Sequence, residues 1–144
     1  MKLVPGLTKH DRFLREVRSH LIGSPVSVQR HDNTWTIELV APFLLSVEGM
    51  WRLIGKTYVL ATSEDDGHQF GLPAPLDVEE KANTLLSGKV IQQIELDRRT
   101  GDLRFEFDDS LVLEIVTTSM GYETWQVWKS DELFAVGANG GLVT

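Results

Sequence analysis

A helical pattern of apolar residues stands near the start of the chain. Four large apolar residues share one face of the predicted helix: Phe13, Leu14, Val17 and Leu21. Thr8 can cap this helix, because its side-chain oxygen can accept a hydrogen bond from a free backbone N–H of the first turn. Gly23 and Pro25 follow the last apolar position and predict the end of the helix.

A second helix is predicted further along the chain. In the segment DVEE, Asp77 stands three residues before Glu80, a spacing that is typical of a helix N-terminus. The helical pattern continues through KANTLL and is expected to end at Gly88. Most of the remaining chain alternates between apolar and polar residues with a period of two, and turn residues interrupt the alternation. This pattern predicts short antiparallel strands.

The strand pattern occurs twice. When residues 26–47 are laid on residues 94–115, apolar positions and turns coincide without a gap. Each segment follows a predicted helix and precedes a strand that contains a tryptophan, Trp51 in the first half and Trp125 in the second. Two unrelated meanders can match by period alone. The shared order of helix, meander, tryptophan strand and turn nevertheless favours an internal duplication.

The repeat predicts the architecture. One helix with one meander is too small to bury a core by itself, so the two units are expected to share one core. We predict a single α+β domain over residues 1–144, with repeats at about 8–66 and 77–144 and a connecting loop at 67–76. The two meanders are expected to form a β-sandwich or a partly open barrel. Such a fold leaves sheet edges, and a homodimer formed through an edge strand is one way to cover them.

Composition narrows the classes of function. The 144 residues carry a net charge of −7, which disfavours nucleic acid as a partner because phosphate binding needs Lys and Arg, and which suits a basic protein partner. The chain has no cysteine, which excludes disulfides, thiolate nucleophiles and cysteine-bound zinc. It shows no long apolar run and no signal-like segment, so we expect no membrane span and a cytoplasmic location.

Three motifs in the second half resemble a known family. They are GDLRFEFDDSLVLEI, then YETW at 122–125, then a Gly-Gly pair at 140–141. In this order and spacing they resemble a family of small, uncharacterised bacterial proteins, over a stretch from about residue 24 onwards. Ser110 stands where that family usually has a turn glycine. The resemblance implies a fold and no established activity. Some relatives look like immunity-type proteins encoded beside secreted toxins, so the resemblance adds an immunity-like role to the hypotheses.

Two tryptophans of GYETWQVW are expected to have different surroundings. If residues 122–128 form one strand, Trp125 and Trp128 lie on opposite faces. Trp125 aligns with Trp51 of the first half, and both are expected in the shared core because each buries a large apolar area. Trp128 is expected on the more exposed face, where it could anchor a partner or make a dimer contact.

Tyr122 and Glu123 have no equivalents in the first half. If a strand begins at residue 122, Glu123 shares the face of Trp125. Tyr122 and Glu123 could then line a ligand pocket between the repeats. The structural interpretation of Glu123 is a brace at the strand end that accepts hydrogen bonds from backbone N–H groups. We expect the structural role.

An acidic turn is the strongest concentration of negative charge. Its members are Glu64, Asp65, Asp66 and His68. We interpret it as a solvated turn at which a basic partner could dock. It lacks the alternating ligands of a calcium loop and the histidines are dispersed, so no metal site is predicted. The glycine-rich segment 137–141 could present N–H groups to an anion, although a turn with positive φ is the simpler interpretation.

These observations leave three hypotheses of function. The preferred one is a non-enzymatic protein-binding domain, of the immunity type for example, that uses an acidic surface and exposed aromatic residues. The second is a small-ligand-binding domain with a pocket near Tyr122 and Glu123. The third and least favoured is an enzyme in which Glu123 works with His68 or Asp108 as acid and base. No cofactor is expected in any of them.

Overall fold

The computed structural model describes residues 8–143. These residues form two helices, α1 (Lys9–Leu21) and α2 (Val78–Leu86). The strands in chain order are β1 (Ser27–Arg30), β2 (Trp35–Glu38), β3 (Phe43–Val47), β4 (Met50–Ile54), β5 (Val59–Thr62), β6 (Ile91–Leu96), β7 (Leu103–Phe107), β8 (Val112–Val116), β9 (Trp125–Lys129), β10 (Glu132–Ala138) and β11 (Gly141–Val143). Two short 3-10 turns lie at Ser63–Asp65 and Asp108–Ser110.

Both helices begin with a side-chain cap at the predicted residue. Thr8 and Asp11 form a capping box, in which each side chain accepts a hydrogen bond from the backbone N–H of the other residue. Asp77 caps α2 by accepting from the backbone N–H of Glu80 at 3.1 Å. α2 ends two residues before Gly88, whose φ of 75° turns the chain towards β6.

The strands form two antiparallel sheets that pack together. The six-stranded sheet has the order β1-β2-β3-β9-β10-β11, and the five-stranded sheet has the order β5-β4-β8-β7-β6. Each half of the chain therefore gives its three-strand meander to one sheet and its following strands to the other, two strands from the first half and three from the second. The predicted α+β fold with a shared core is confirmed, as a sandwich that is not closed into a barrel.

The two junctions between the halves have equivalent registers. In the six-stranded sheet β3 pairs with β9, and Val47 lies opposite Trp125. In the five-stranded sheet β8 pairs with β4, and Ile115 lies opposite Trp51. Since the sequence alignment matches Val47 with Ile115 and Trp125 with Trp51, the strand pairing follows the repeat that the sequence predicts.

The core lies between the two sheets and contains both tryptophans. Trp51 and Trp125 are each 0% exposed, as expected from the alignment of the halves. The ring of Phe13 on α1 packs on Trp125 with centroids 5.7 Å apart. Burial of rings of this size contributes much of the free energy that holds the two sheets together.

Each helix bonds the first strand of the other half. Arg18 of α1 donates to the carbonyl oxygen of Ile94 in β6, at 2.6 Å from its Nη2. Asn83 of α2 accepts from the N–H of Val28 in β1 at 2.8 Å and donates to the carbonyl of the same residue at 2.9 Å. The helices thus cover two open sides of the sandwich.

Two local features differ from the sequence prediction, and a third concerns the unusual residue Ser110. β9 begins at Trp125, so Tyr122 and Glu123 lie in the preceding loop and not on the strand. β11 is an additional strand after the glycine-rich turn. Ser110 has φ 64°, a left-handed conformation that favours glycine and that explains why a glycine is common at this kind of turn.

Candidate interaction surface

A row of apolar side chains crosses the outer face of the six-stranded sheet. Leu44 of β3 and Leu133 of β10 lie directly opposite Trp128 of β9, one on each side. Leu44 is 41% exposed, Leu133 is 50% exposed, and Trp128 is half-buried between them. We name these three residues the Trp128 row. Glu38 of β2 lies opposite Leu44 and ends the row with a carboxylate.

A second row of side chains runs beside the Trp128 row and contains no charged residue. Its members are Thr36, Ser46, Gln126 and Val136, each opposite the next across neighbouring strands. Gln126 donates through Nε2 to the carboxylate of Glu123 at 2.9 Å. The Trp128 row presents an apolar strip, and Thr36, Ser46 and Gln126 present a neutral strip beside it, because Val136 at the end of the second row is buried. Carboxylates lie at the borders of both strips.

Strand alternation places these side chains outside. Phe43 and Leu45 of β3 point into the core, so Leu44 between them points outwards. Trp128 is on the face opposite Val127 for the same reason. The period of two in the sequence predicted this position for Trp128. The partner Leu44 was missed, although its place between two core residues is the signal that identifies it.

The one lysine of β9 does not reach the outer face. Lys129 donates to Glu16 of α1 at 2.7 Å and lies over the rings of Phe43 and Phe134, 5.9 and 5.8 Å from their centroids. This hydrogen bond holds the pKa of the Glu16 carboxyl below its ordinary value. The positive charge is therefore engaged at the side of the sandwich covered by α1.

The outer face of the five-stranded sheet carries ion pairs at the positions equivalent to the neutral second row. Glu114 of β8 lies between Arg52 of β4 and Arg104 of β7. Arg52 Nη2 is 2.7 Å from the carboxylate, and Arg104 Nη1 is 3.9 Å from it. Charged side chains thus occupy the centre of this face and keep it hydrated.

The acidic turn has a structural part and an exposed part. Asp66 accepts from the backbone N–H of Val78 at 3.0 Å and from Arg30 at 3.3 Å, so its charge is used at the start of α2. Glu64 is exposed and Asp65 is half-buried, both in the 3-10 turn after β5. This turn follows a strand of the five-stranded sheet, whereas Trp128 belongs to the other sheet.

The candidate acid–base residues lie in three separate segments. His68 stacks on Phe70 in the loop after β5, with ring centroids 5.4 Å apart. Asp108 accepts from Gln92 beside the β7–β8 turn. Glu123 bonds Gln126, a side-chain partner and not the backbone N–H groups that the brace interpretation predicted. The imidazole of His68 and the carboxylates of Asp108 and Glu123 thus each contact a different residue.

Tyr122 belongs to an exposed loop. It is 81% exposed, and Met120 of the same loop is 92% exposed. Surface depressions of about 300 to 370 Å³ lie elsewhere on the described residues, among them four that are lined by residues other than Tyr122 and Glu123. Within residues 8–143, no group of three or more His, Asp or Glu side chains is arranged to hold a metal ion.

The glycine-rich turn at 137–141 has a packing role. Gly140 donates its N–H to the carbonyl of Arg99 at 2.8 Å, so this group is used within the protein. A Cβ on Gly141 would lie 2.5 Å from the carbonyl oxygen of Arg98, which only the absence of a side chain avoids. The turn therefore packs closely against the β6–β7 turn at Gly141, whereas the φ of 96° at Gly140 favours glycine for its backbone conformation.

Comparison of the chain with protein-family models, with curated proteins and with solved structures gave no match. The described helices include none that is both long and apolar enough to cross a membrane.

Proposed function

We propose that the protein is a non-enzymatic binding domain for another protein and that the outer face of the six-stranded sheet is its contact surface. The Trp128 row carries this proposal. Its two leucines are 41% and 50% exposed and flank a half-buried tryptophan. A large aromatic residue with aliphatic neighbours is typical of the centre of a protein interface, where desolvation contributes most of the binding free energy.

The charges around the row define the partner. Glu38 ends the Trp128 row, Glu123 borders the second row, and the two rows contain no cation. The whole chain has a net charge of −7. A complementary partner has an apolar centre surrounded by Lys or Arg, and long-range attraction then speeds its association. A secreted toxin of basic charge fits this description, so the immunity-like role stays a hypothesis within this proposal.

Binding to the product of a neighbouring gene is the test. We expect a complex whose Kd, measured by calorimetry, increases about 30-fold for Trp128→Ala, since loss of a central tryptophan costs about 2 kcal/mol. Leu44→Ala is expected to weaken the complex less. Higher ionic strength is expected to slow association, because the carboxylates act at long range.

Tyr58→Ala is the matched control, because this exposed aromatic residue adjoins β5 of the other sheet. We expect it to leave the affinity unchanged. A complex that is insensitive to Trp128→Ala would contradict the proposed surface. If Glu64→Gln weakened such a complex instead, the acidic turn would be the contact, as the sequence alone suggested.

A further inference from the structure

In three of the four edge strands of the two sheets, a backbone group forms a hydrogen bond with a side chain from a helix. On β1, Asn83 bonds the backbone of Val28, and the carboxylate of Glu79 accepts from the N–H of Arg30 at 2.7 Å. On β6, the carbonyl of Ile94 accepts from Arg18, as described above. On β11, His10 of α1 accepts from the N–H of Leu142 at 3.3 Å. Side chains that bond an edge in this way prevent another strand from pairing there.

The edge formed by β5 differs from these three. α2 also lies beside β5, but among the residues described no side chain bonds the backbone of Val59–Thr62. Val59 is 44% exposed and Tyr58 just before it is 67% exposed. An exposed apolar edge strand with free backbone groups is a template for pairing with another strand.

The equivalent strand of the other half, β10, is paired on its outer side only at Val136, Gly137 and Ala138, which correspond to Thr62 at the end of β5 and to Ser63 and Glu64 in the turn after it. β5 and β10 both have a register shift at the same place, after Leu133 in β10 and after Val59 in β5. The partner of β10 at these three residues is β11. The five-stranded sheet has no such sixth strand, and the chain after β5 turns into the Ser63–Asp65 3-10 turn.

The charges at the two ends of β5 favour a second copy of the chain as the occupant. Lys56 precedes the strand, and Glu64 and Asp65 follow it. When two copies of such a strand pair in antiparallel orientation, the positive end of each lies beside the negative end of the other. We propose that the protein forms a weak homodimer by antiparallel pairing of β5 with β5, which joins two five-stranded sheets across a twofold axis near Leu60.

Sedimentation equilibrium with charge variants tests this proposal. Four residues on each side form a small interface, so we expect a reversible, concentration-dependent dimer. Lys56→Glu alone, and Glu64→Lys with Asp65→Lys, are each expected to weaken the dimer roughly tenfold at low salt. The combined triple variant restores opposite charges across the axis and is expected to recover the dimer. Lys81→Glu on the exposed side of α2 is the matched control and should have no effect.

Disulfide trapping gives a second readout that does not depend on charge. The chain has no cysteine, so a single cysteine introduced at one of positions 58 to 62 can form a disulfide only with the same position of the second copy. Because a disulfide needs Cα atoms within about 7 Å, cross-linking is expected to be greatest near residue 60 and to decline in both directions. Ser46→Cys on the other sheet should not cross-link.

Two results would overturn the proposal. One is a monomer at every concentration tested together with no cross-linking in the scan. The other is a dimer that the charge variants do not weaken and that Leu44→Glu abolishes, because that dimer would use the outer face of the six-stranded sheet. Neither result bears on whether that face binds a different protein, which the calorimetric test measures separately.

Discussion

The outer faces of the two sheets occupy equivalent positions and have different chemistry. The row Leu44–Trp128–Leu133 of the six-stranded sheet corresponds to Val112–Ile54–Val59 in the five-stranded sheet. Both rows end in a glutamate, Glu38 in one sheet and Glu106 in the other. The backbone frame and the first row are therefore shared, and the size of the central side chain is the main difference between them.

The second rows separate the two faces more clearly. Ser46 and Gln126 of the six-stranded sheet stand where the other sheet has Glu114 and Arg52. An ion-paired row holds water at the surface, whereas a neutral row costs less free energy to desolvate. The same sandwich therefore has one outer face with a charged, hydrated row and one outer face with a neutral row that costs less free energy to desolvate.

The core shows a similar difference at the two tryptophans. Trp125 donates from Nε1 to the carbonyl of Gly101 at 2.8 Å. The Nε1 of Trp51 has no hydrogen-bond partner among the described residues, and Trp51 packs edge-to-face with Trp35, at 5.0 Å between centroids. Gly137 faces Trp125, while Ser63 stands at the equivalent place beside Trp51 and accepts from its backbone N–H at 3.0 Å.

The largest effect is expected from Gly137→Ala. A Cβ at this position would overlap the indole ring of Trp125, which is fully buried and cannot move away. Overpacking of this kind costs about 3 kcal/mol of the free energy of unfolding. Urea denaturation measures the loss. The matched variant Ser63→Ala in the other half removes one hydrogen bond and is expected to cost about 1 kcal/mol. If both variants lost the same free energy of unfolding, Gly137 would not be more tightly packed against its tryptophan than Ser63 is.

The next effect separates the two tryptophans. Trp125→Phe and Trp51→Phe remove similar volumes from the core, but only the first leaves the buried carbonyl of Gly101 without its donor. An unpaired buried acceptor costs about 1 to 3 kcal/mol, so Trp125→Phe is expected to be the more destabilising by that amount. Thermal and urea unfolding of both variants measure the difference. A larger loss for Trp51→Phe would contradict this expectation.

A smaller effect is expected on the outer faces. Glu114→Gln removes the carboxylate between Arg52 and Arg104, which are 38% and 47% exposed. Solvent screens pairs of this kind, so the expected loss is about 0.5 to 1 kcal/mol, and it should decrease at high salt. Ser46→Ala at the equivalent place in the other sheet should change stability by less than about 0.5 kcal/mol. A salt-independent loss would mean that packing and not charge is responsible.

The smallest expected effect is the pH dependence of the contact between His10 and β11, a strand that has no equivalent in the first half. Burial lowers the pKa of the His10 imidazole, and the nearby Arg98 and Lys9 add to this effect while Asp11 opposes it. Because the folded-state pKa lies below the unfolded value, the contribution of His10 is present above about pH 6.5 and is lost as the pH falls through the folded-state pKa.

Protonated Nε2 also cannot accept from the N–H of Leu142. We expect exchange of the Leu142 amide, followed by NMR, to become faster relative to its intrinsic rate when the pH falls from about 7.5 to about 5.5. His10→Asn is the control and should show a flatter pH dependence. An amide whose protection does not change with pH in the unmodified protein would contradict the role of His10 at this edge.

Periodicity was sufficient to predict the fold class and the main elements. The capping residues Thr8 and Asp77, the core positions of both tryptophans and the register of the repeat depend on local pattern and on burial, and both are visible in the sequence. The exchange of strands between the halves is not visible, because a strand pattern records which face is buried and not which neighbour it pairs with.

The candidate surface was predicted only in part. Alternation placed Trp128 on the outer face, but its neighbours Leu44 and Leu133 come from strands whose pairing the sequence does not give. The start of β9 was placed too early because Tyr122 has a high preference for strands, whereas the loop is held by Ser119, whose Oγ accepts from the Tyr122 N–H at 3.1 Å.

The exchange of strands also determines how the chain can fold. β3 pairs with β9, and β4 pairs with β8, so each sheet needs strands from both halves of the chain. Neither sheet can therefore be completed before the second half has been synthesised. Contacts between positions far apart in the chain make folding slow, because loop closure must precede the pairing that stabilises it. The same arrangement means that a chain cut within 67–76 still holds all its strand partners in two fragments. The halves of two different molecules can likewise complete each other, with the 67–76 connection as the hinge of a domain-swapped pair.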